Sequence, residues 1–294
     1  MTAIFTPTST FGAFGEPGVF GPDQADALAT FFRANGYAIL RGVFDHALMD
    51  AMETECVDAQ QRVVAGDLDA KHGTTILVDD ADTGRAAKFA NYVLYIEQLS
   101  DAVRDAIEHP VLSGIMRDLL GEDCWADANE RFGVVYQDAR PGRESSYTRI
   151  GWHSDWQSGP NLHVWPSVAF TFHIDATSPD NGFLRVLPGS HLWATPAPYE
   201  NVNDAVVPDG SSPAAGHTTE PPPCPMPLRF EKIRGEVGVY AERGDVILHD
   251  AYLWHSAARA TADETTRRHV RGGFYGGDRM RSSHYDEFVK NAAR

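Results

Sequence analysis

The sequence predicts a mainly β protein in which α-helices flank a sandwich or barrel. Three observations carry that prediction. After Asn129 the chain breaks into short runs rich in Val, Ile, Phe and Tyr, separated by Gly, Pro, Asn and Asp turns, with no helical stretch between them. Helical spacing of apolar residues is confined to the part before residue 128. A hydrophobic fraction of 43% in 294 residues, with 11% aromatics, is enough to fill a sizeable core.

The elements follow in order. Residues 1–22 are rich in Thr, Gly, Phe and Pro without a period and are expected to form an N-terminal arm. Asp23 is a candidate cap for a helix in which Ala27, Leu28, Phe31 and Phe32 recur on one face. Asn35-Gly36 stops it, and Tyr37 to Leu40 reads as a short buried strand. A second helix is expected over Ala47 to Val64. A third starts near Asp101, is interrupted at Pro110 and resumes to Leu120, where Gly121 ends it. The expected strands are Arg131–Gln137, Ser167–Asp175, Phe183–Leu187, Glu236–Tyr240, Asp245–His249 and Arg268–Tyr275, with Pro179-Asp-Asn-Gly182 and Pro188-Gly189 as turns. Nine of the 18 prolines fall between Pro196 and Pro227. Because strands resume on both sides, 194–234 reads as a loop insertion, either an irregular surface excursion or a lid over a substrate. The whole chain, 1–294, is thus read as one domain: the arm, a mainly helical flank over 23–128 and a β core over 129–280 that carries the insertion.

Charge and cysteine usage exclude several classes. The 25 Lys and Arg against 41 Asp and Glu give a net charge of −16, opposite to what a nucleic-acid binder or a protein docked on an anionic membrane needs. No stretch approaches the ~20 apolar residues of a membrane span, and no basic residue precedes an apolar run near Met1. Cys56, Cys124 and Cys224 are far apart and odd in number, which argues against a zinc ribbon or a disulfide framework. A reduced, cytoplasmic enzyme acting on a small molecule is the expectation, with no nucleic-acid or membrane partner and an open oligomeric state.

Among the 12 histidines, three stand two residues ahead of an aspartate: His153-Ser-Asp155, His173-Ile-Asp175 and His284-Tyr-Asp286. On a strand such a pair shares one face. A second histidine from elsewhere completes the two-histidine, one-carboxylate set of non-haem Fe(II) oxygenases, which leaves positions open on the metal. With 41 acids in the chain, chance alone supplies about one or two such pairs, so context must decide. His284 sits in a polar tail with no later histidine to join it. His173 lies in a strand whose even positions, Val168 to Ile174, are apolar, and it belongs to the wetter face. His153-Ser-Asp155 sits between Trp152 and Trp156 after Gly151, and aromatic walls beside a polar pair suit a small-ligand pocket.

Gly151-Trp-His-Ser-Asp-Trp156, Pro179-Asp-Asn-Gly-Phe-Leu-Arg-Val-Leu-Pro-Gly-Ser-His191, the run from Gly244-Asp-Val-Ile-Leu to Leu-Trp-His255, and Arg267-Arg268 together resemble the phytanoyl-CoA dioxygenase family, which includes ectoine hydroxylase. Phe31 to Phe44 is similar to that family's opening helix and strand, so the resemblance spans most of residues 23–275. It implies a double-stranded β-helix (jelly-roll, cupin-like) core, Fe(II) as cofactor, and 2-oxoglutarate and O2 as co-substrates. It makes His153, Asp155 and His255 the iron ligands, with His249 the competitor for the third place. Arg268 or Arg267 would hold the distal carboxylate of 2-oxoglutarate through paired hydrogen bonds. Arg268 shares a face with Val270, Gly272 and Phe274, so register favours it as the inward residue. Gln137, Trp152 and Trp156 are pocket candidates, and His191 reads as structural.

One departure stands out. Ser256-Ala257 follows the third ligand where the family commonly has Gly-Ser, so a hydroxyl near 2-oxoglutarate is displaced or lost. The resemblance implies hydroxylation of a C–H bond with release of succinate and CO2, and the presence of Asp155 favours this over halogenation. A cupin-like metal protein independent of 2-oxoglutarate and a non-catalytic relative are the competing readings. The acidic balance tilts the substrate toward a neutral or cationic small molecule.

Overall fold

A computed structural model describes residues 17–73, 76–78, 88–126, 133–140, 150–155, 167–193, 231–258, 260–262 and 265–276. The 194–234 insertion, but for its last four residues, lies outside them, as do Trp156 and the His284 pair.

Four helices lead. Helix α1, Ala25–Asn35, is preceded by Gln24 and not capped by Asp23: Gln24 turns its side chain back, and its Oε1 accepts from the Gly21 N–H at 2.9 Å. Its far end is Gly36 in the left-handed region at φ 80°, where an added Cβ would meet His191 Nδ1 at 2.5 Å. Helix α2, His46–Ala65, starts one residue earlier than expected because Asp45 caps it, its carboxylate accepting from the Leu48 N–H at 2.8 Å. Ser100 caps α3, Asp101–Ile107, in the same way through Val103. The expected interruption falls at Glu108–His109, and Pro110 opens α4, Pro110–Leu120, where a missing N–H costs nothing.

The strands are β1 (Val19–Phe20), β2 (Tyr37–Leu40), β3 (Ile76–Val78), β4 (Lys88–Ala90), β5 (Tyr92–Leu94), β6 (Trp125–Ala126), β7 (Val135–Ala139), β8 (Ile150–His153), β9 (Ser167–His173), β10 (Leu184–Val186), β11 (Val237–Val239), β12 (Val246–Asp250), β13 (His255–Ala257) and β14 (Arg267–Tyr275). The region read as a mainly helical flank therefore also supplies strands, and the end of the N-terminal arm pairs in parallel with β2. The major sheet runs β1-β2-β12-β9-β14-β7-β5, with β6 alongside β14; the minor sheet runs β11-β10-β13-β8; β3 and β4 form a hairpin pair. Side chains of both sheets line one cavity, so the sheets face each other as the two walls of a jelly-roll.

The major sheet has two covered faces. Val168, Phe170, Phe172, Val246, Leu248, Val270 and Phe274 pack in one cluster with Leu28, Met52, Val103 and Ile115 of the helices. Phe44, just ahead of α2, meets Phe172 edge to face at 5.1 Å. Alternate positions on the same strands, Thr171 and His173 on β9 and Arg267, His269 and Arg271 on β14, face the cavity instead. Just past β2, Arg41 ties that strand to the start of its neighbour β12, making a paired contact with the buried Asp245 carboxylate at 2.8–3.1 Å.

Candidate metal centre

His153 ends β8 and His255 begins β13, and the antiparallel register sets them directly opposite each other. Their rings lie 4.1 Å apart, and Asp155 follows His153 just past the strand. One ligand atom from each of the three falls within 4.8 Å of the others. Asp155 Oδ1 lies 3.5 Å from His255 Nε2 and 4.0 Å from His153 Nε2.

The two imidazoles are held alike. His153 Nδ1 donates to the Gly151 carbonyl at 2.8 Å, and His255 Nδ1 to the Leu253 carbonyl at 2.9 Å. Each ring thus keeps its proton on Nδ1 and turns a bare Nε2 lone pair toward Asp155, the form a metal requires. Burial holds both histidines below the ordinary histidine range, so they are neutral. Burial opposes the charge on Asp155, but His255, His249 and His153 around it hold the carboxyl well below the usual carboxylate range. Two neutral nitrogens and one carboxylate, buried and preset, fit a divalent ion such as Fe(II).

The backbone next to His255 is pinned. Ser190 Oγ accepts from the Trp254 N–H at 2.8 Å, and the Leu187 N–H donates to the Trp254 carbonyl at 2.9 Å. Pro188-Gly-Ser-His191 therefore serves the third histidine from a distance, and His191 itself meets the Arg33 carbonyl at 3.2 Å.

The other His-x-Asp pair within the described residues does not gather a ligand set. His173 lines the cavity, but Asp175 is taken by Arg268, which donates from Nε and Nη2 at 2.9 and 2.7 Å. That contact corrects the expectation for the arginines. Arg268 also meets Glu53 of α2 at 2.7 Å and so points to the helical side, with its pKa raised chiefly by Asp175. Arg267 is the residue in the cavity, 6% exposed, and no carboxylate among the described residues pairs with it. Among the described residues its Nε has no hydrogen-bond partner, and burial lowers its pKa to about 10. The apolar face of β14 looked inward because it is the drier one. It is dry because it meets helices, whereas the wetter face lines the cavity.

Gln137 on β7 does face the cavity, with Oε1 at 3.1 Å from His269 Nε2. Trp152 does not. It is fully buried outside the cavity, donates from Nε1 to the Glu231 carbonyl at 2.8 Å and lies under the Arg185 guanidinium at 4.9 Å. On β13, His255 and Ala257 face the cavity while Ser256 stands opposite Arg185, so the wall position holds a methyl group and no hydroxyl. Two further histidines belong to the site: His249 Nε2 lies 3.2 Å from Asp155 Oδ2, and His269 shares the face of Arg267. Alternation along β14 was the available signal for the second. The cavity measures about 150 Å3 and joins these polar groups to an apolar wall of Ala169, Ile247 and Leu184.

Known proteins resemble this chain. Ectoine dioxygenase of Nocardia farcinica is 27% identical over 195 residues, 63% of this chain and 58% of that protein. Dioxygenase af480 of Aspergillus fumigatus is 28% identical over 193 residues, 64% of this chain and 49% of that protein. The chain thus spans only about half of the length of these relatives. Among solved structures, the epimerase SnoN in complex with Fe3+, alpha ketoglutarate and nogalamycin RO matches with a TM-score of 0.56 at 20% identity, covering 87% of this chain and 84% of that one. EctD from S. alaskensis with 2-oxoglutarate and 5-hydroxyectoine matches with a TM-score of 0.56 at 18% identity, covering 85% and 75%. These likenesses bear on the fold, a jelly-roll. The profile of the phytanoyl-CoA dioxygenase (PhyH) family matches residues 32–270. This chain belongs to the phytanoyl-CoA dioxygenase family.

Proposed function

We propose that the protein is an Fe(II)- and 2-oxoglutarate-dependent dioxygenase that hydroxylates a C–H bond of a small molecule and releases succinate and CO2. The observation that carries this reading is the pairing of His153, Asp155 and His255 with a buried, carboxylate-free Arg267 in the same cavity. When bound, iron supplies the O2 chemistry that couples decarboxylation of 2-oxoglutarate to oxidation of the substrate. The chain's own groups do the rest. His153 and His255 offer Nε2 lone pairs whose direction their Nδ1 bonds preset, and Asp155 offers Oδ1. An ion held by His153, Asp155 and His255 alone would keep room for 2-oxoglutarate and O2. Arg267, a buried cation without a counter-charge among the described residues, offers its fork to the distal carboxylate. The aliphatic wall keeps bulk water from the reacting centre.

The relatives named above as dioxygenases support the reaction type, and the neighbours' titles that name iron and 2-oxoglutarate support the pair of ligands. The test is anaerobic titration with Fe(II) and 2-oxoglutarate, followed by admission of O2 and assay of succinate. The protein is expected to bind both and to form succinate slowly without a primary substrate, and His153→Ala and His255→Ala are each expected to abolish metal uptake. Failure of the unsubstituted protein to bind either ligand overturns the reading. A screen for small molecules that stimulate succinate formation then identifies the substrate.

A further inference from the structure

His249 is a third buried histidine at the centre, and the ligand set does not use it. On β12, Val246 and Leu248 pack against the helices, while Ile247 and His249 face the cavity. That alternation delivers His249 to Oδ2 of Asp155, with its ring also packed against that of His255. The carboxylate is thereby divided. Oδ1 lies toward Nε2 of His255 and His153, and Oδ2 lies 3.2 Å from His249 Nε2. A carboxylate oxygen accepts, so His249 Nε2 is the donor and carries the ring proton. Among the described residues His249 Nδ1 has no hydrogen-bond partner, so Asp155, with the His255 ring packed 4.5 Å away, sets the ring's orientation.

Resting on the metal reading above, we infer that His249 is a positioning residue that engages Oδ2 of Asp155 and so keeps this aspartate a one-oxygen ligand. The chemical reason is the count of positions. A carboxylate is free to bind a metal through one oxygen or both. With both oxygens bound, Asp155 would take a fourth position, and after 2-oxoglutarate had taken two more none would remain for O2. A hydrogen bond to Oδ2 lowers that oxygen's availability without touching the one that binds.

Co(II) serves as the probe, because its visible absorption weakens as coordination number rises and it binds without turnover. The unsubstituted protein, His249→Leu and His249→Gln are titrated with Co(II) and then with 2-oxoglutarate, with circular dichroism to confirm folding. His249→Leu is expected to take up Co(II), to show the weaker absorption of a more crowded ion, and to bind 2-oxoglutarate about tenfold or more weakly, in the range typical of lost outer partners. His249→Gln, whose amide donates from a similar place, is expected to restore most of both properties. His249→Asn, too short to reach Oδ2, replaces Leu if that variant does not fold. An unchanged spectrum and 2-oxoglutarate affinity in the folded Leu or Asn variant overturns the inference. Loss of Co(II) from both the Leu and the Gln variant also overturns it, because His249 is then itself a ligand. If the unsubstituted protein takes up no Co(II), the metal reading fails first, and that outcome is distinct from the other two.

Discussion

A guanidinium buried without a counter-ion is an expensive thing to fold, and among the described residues none pairs with Arg267. Its cost is offset when an anion enters the cavity, which is the physical basis for giving it the distal carboxylate of 2-oxoglutarate. Its neighbour has no such need. Arg268 already holds Asp175 and Glu53, fastening α2 to the start of the inner strand β14. The two arginines should therefore fail in different ways. Arg267→Ala is expected to weaken 2-oxoglutarate binding at least tenfold, a loss of about 1.4 kcal/mol or more, with little change in melting temperature. Arg268→Ala is expected to leave that affinity nearly intact and to cost about 1–2 kcal/mol of stability, since its ion pairs are partly open to water. Calorimetric titration with 2-oxoglutarate and thermal melts of the two variants separate these outcomes.

At the scale of elements, the centre depends on turns that lie far from it in sequence. Gly36 closes α1 with a left-handed residue and lets the His191 and Leu253 side chains approach to within 2.5–2.8 Å of where a Cβ would sit. Leu253 in turn supplies the carbonyl that orients His255. Gly36→Ala is expected to cost more than the roughly 1–2 kcal/mol of the left-handed backbone, because the new methyl group also displaces His191 and Leu253. At about 2–4 °C per kcal/mol for a domain near this size, the melting temperature should drop by several degrees. Metal affinity should fall with it, since Leu253 moves. A variant with the melting point and metal affinity of the parent would show that this turn does not support the third ligand. Ser190 acts at the same scale: its hydroxyl is spent on the Trp254 N–H, one residue before His255.

Across the molecule, the cavity wall holds neutral histidines whose burial resists protonation. Burial and the charge of Arg267 push His173 down to about 3, and burial places His269 well below the ordinary range. An unfolded chain would bind these protons near pH 6.5, whereas the folded one does not. The folded state thus holds fewer protons below that pH, and stability falls as pH is lowered through 6.5. Each such histidine contributes a slope of at most about 1.4 kcal/mol per pH unit. Metal-free protein is expected to melt at a lower temperature at pH 5.5 than at pH 7.5, and His173→Gln should shrink that gap. A gap unchanged by the substitution would remove His173 from the cause. The net charge of −16 belongs to this scale as well, because Arg267 and Arg271 line the cavity while acids predominate in the chain.

Much of this architecture was readable one residue at a time. The helices showed through apolar spacing and stop signals, and the core strands through Val, Ile, Phe and Tyr runs bounded by turns, because both patterns are set by local geometry. His153-Ser-Asp155 stood out from its look-alikes by its immediate neighbours. What stayed hidden depends on which surface a face meets. Alternation along β14 separates Arg268, Val270 and Phe274 from Arg267, His269 and Arg271, but it does not say that helices cover the first set and a cavity the second. The same ambiguity left Trp152 a pocket candidate, when it packs outside the cavity under Arg185. It also left His249 a rival of His255, when the register of β12 carries it to the far oxygen of Asp155. Period and composition are properties of a segment, and the sequence determines them alone. The partner each face meets is a property of chain topology, and only the packed sheets and helices decide it.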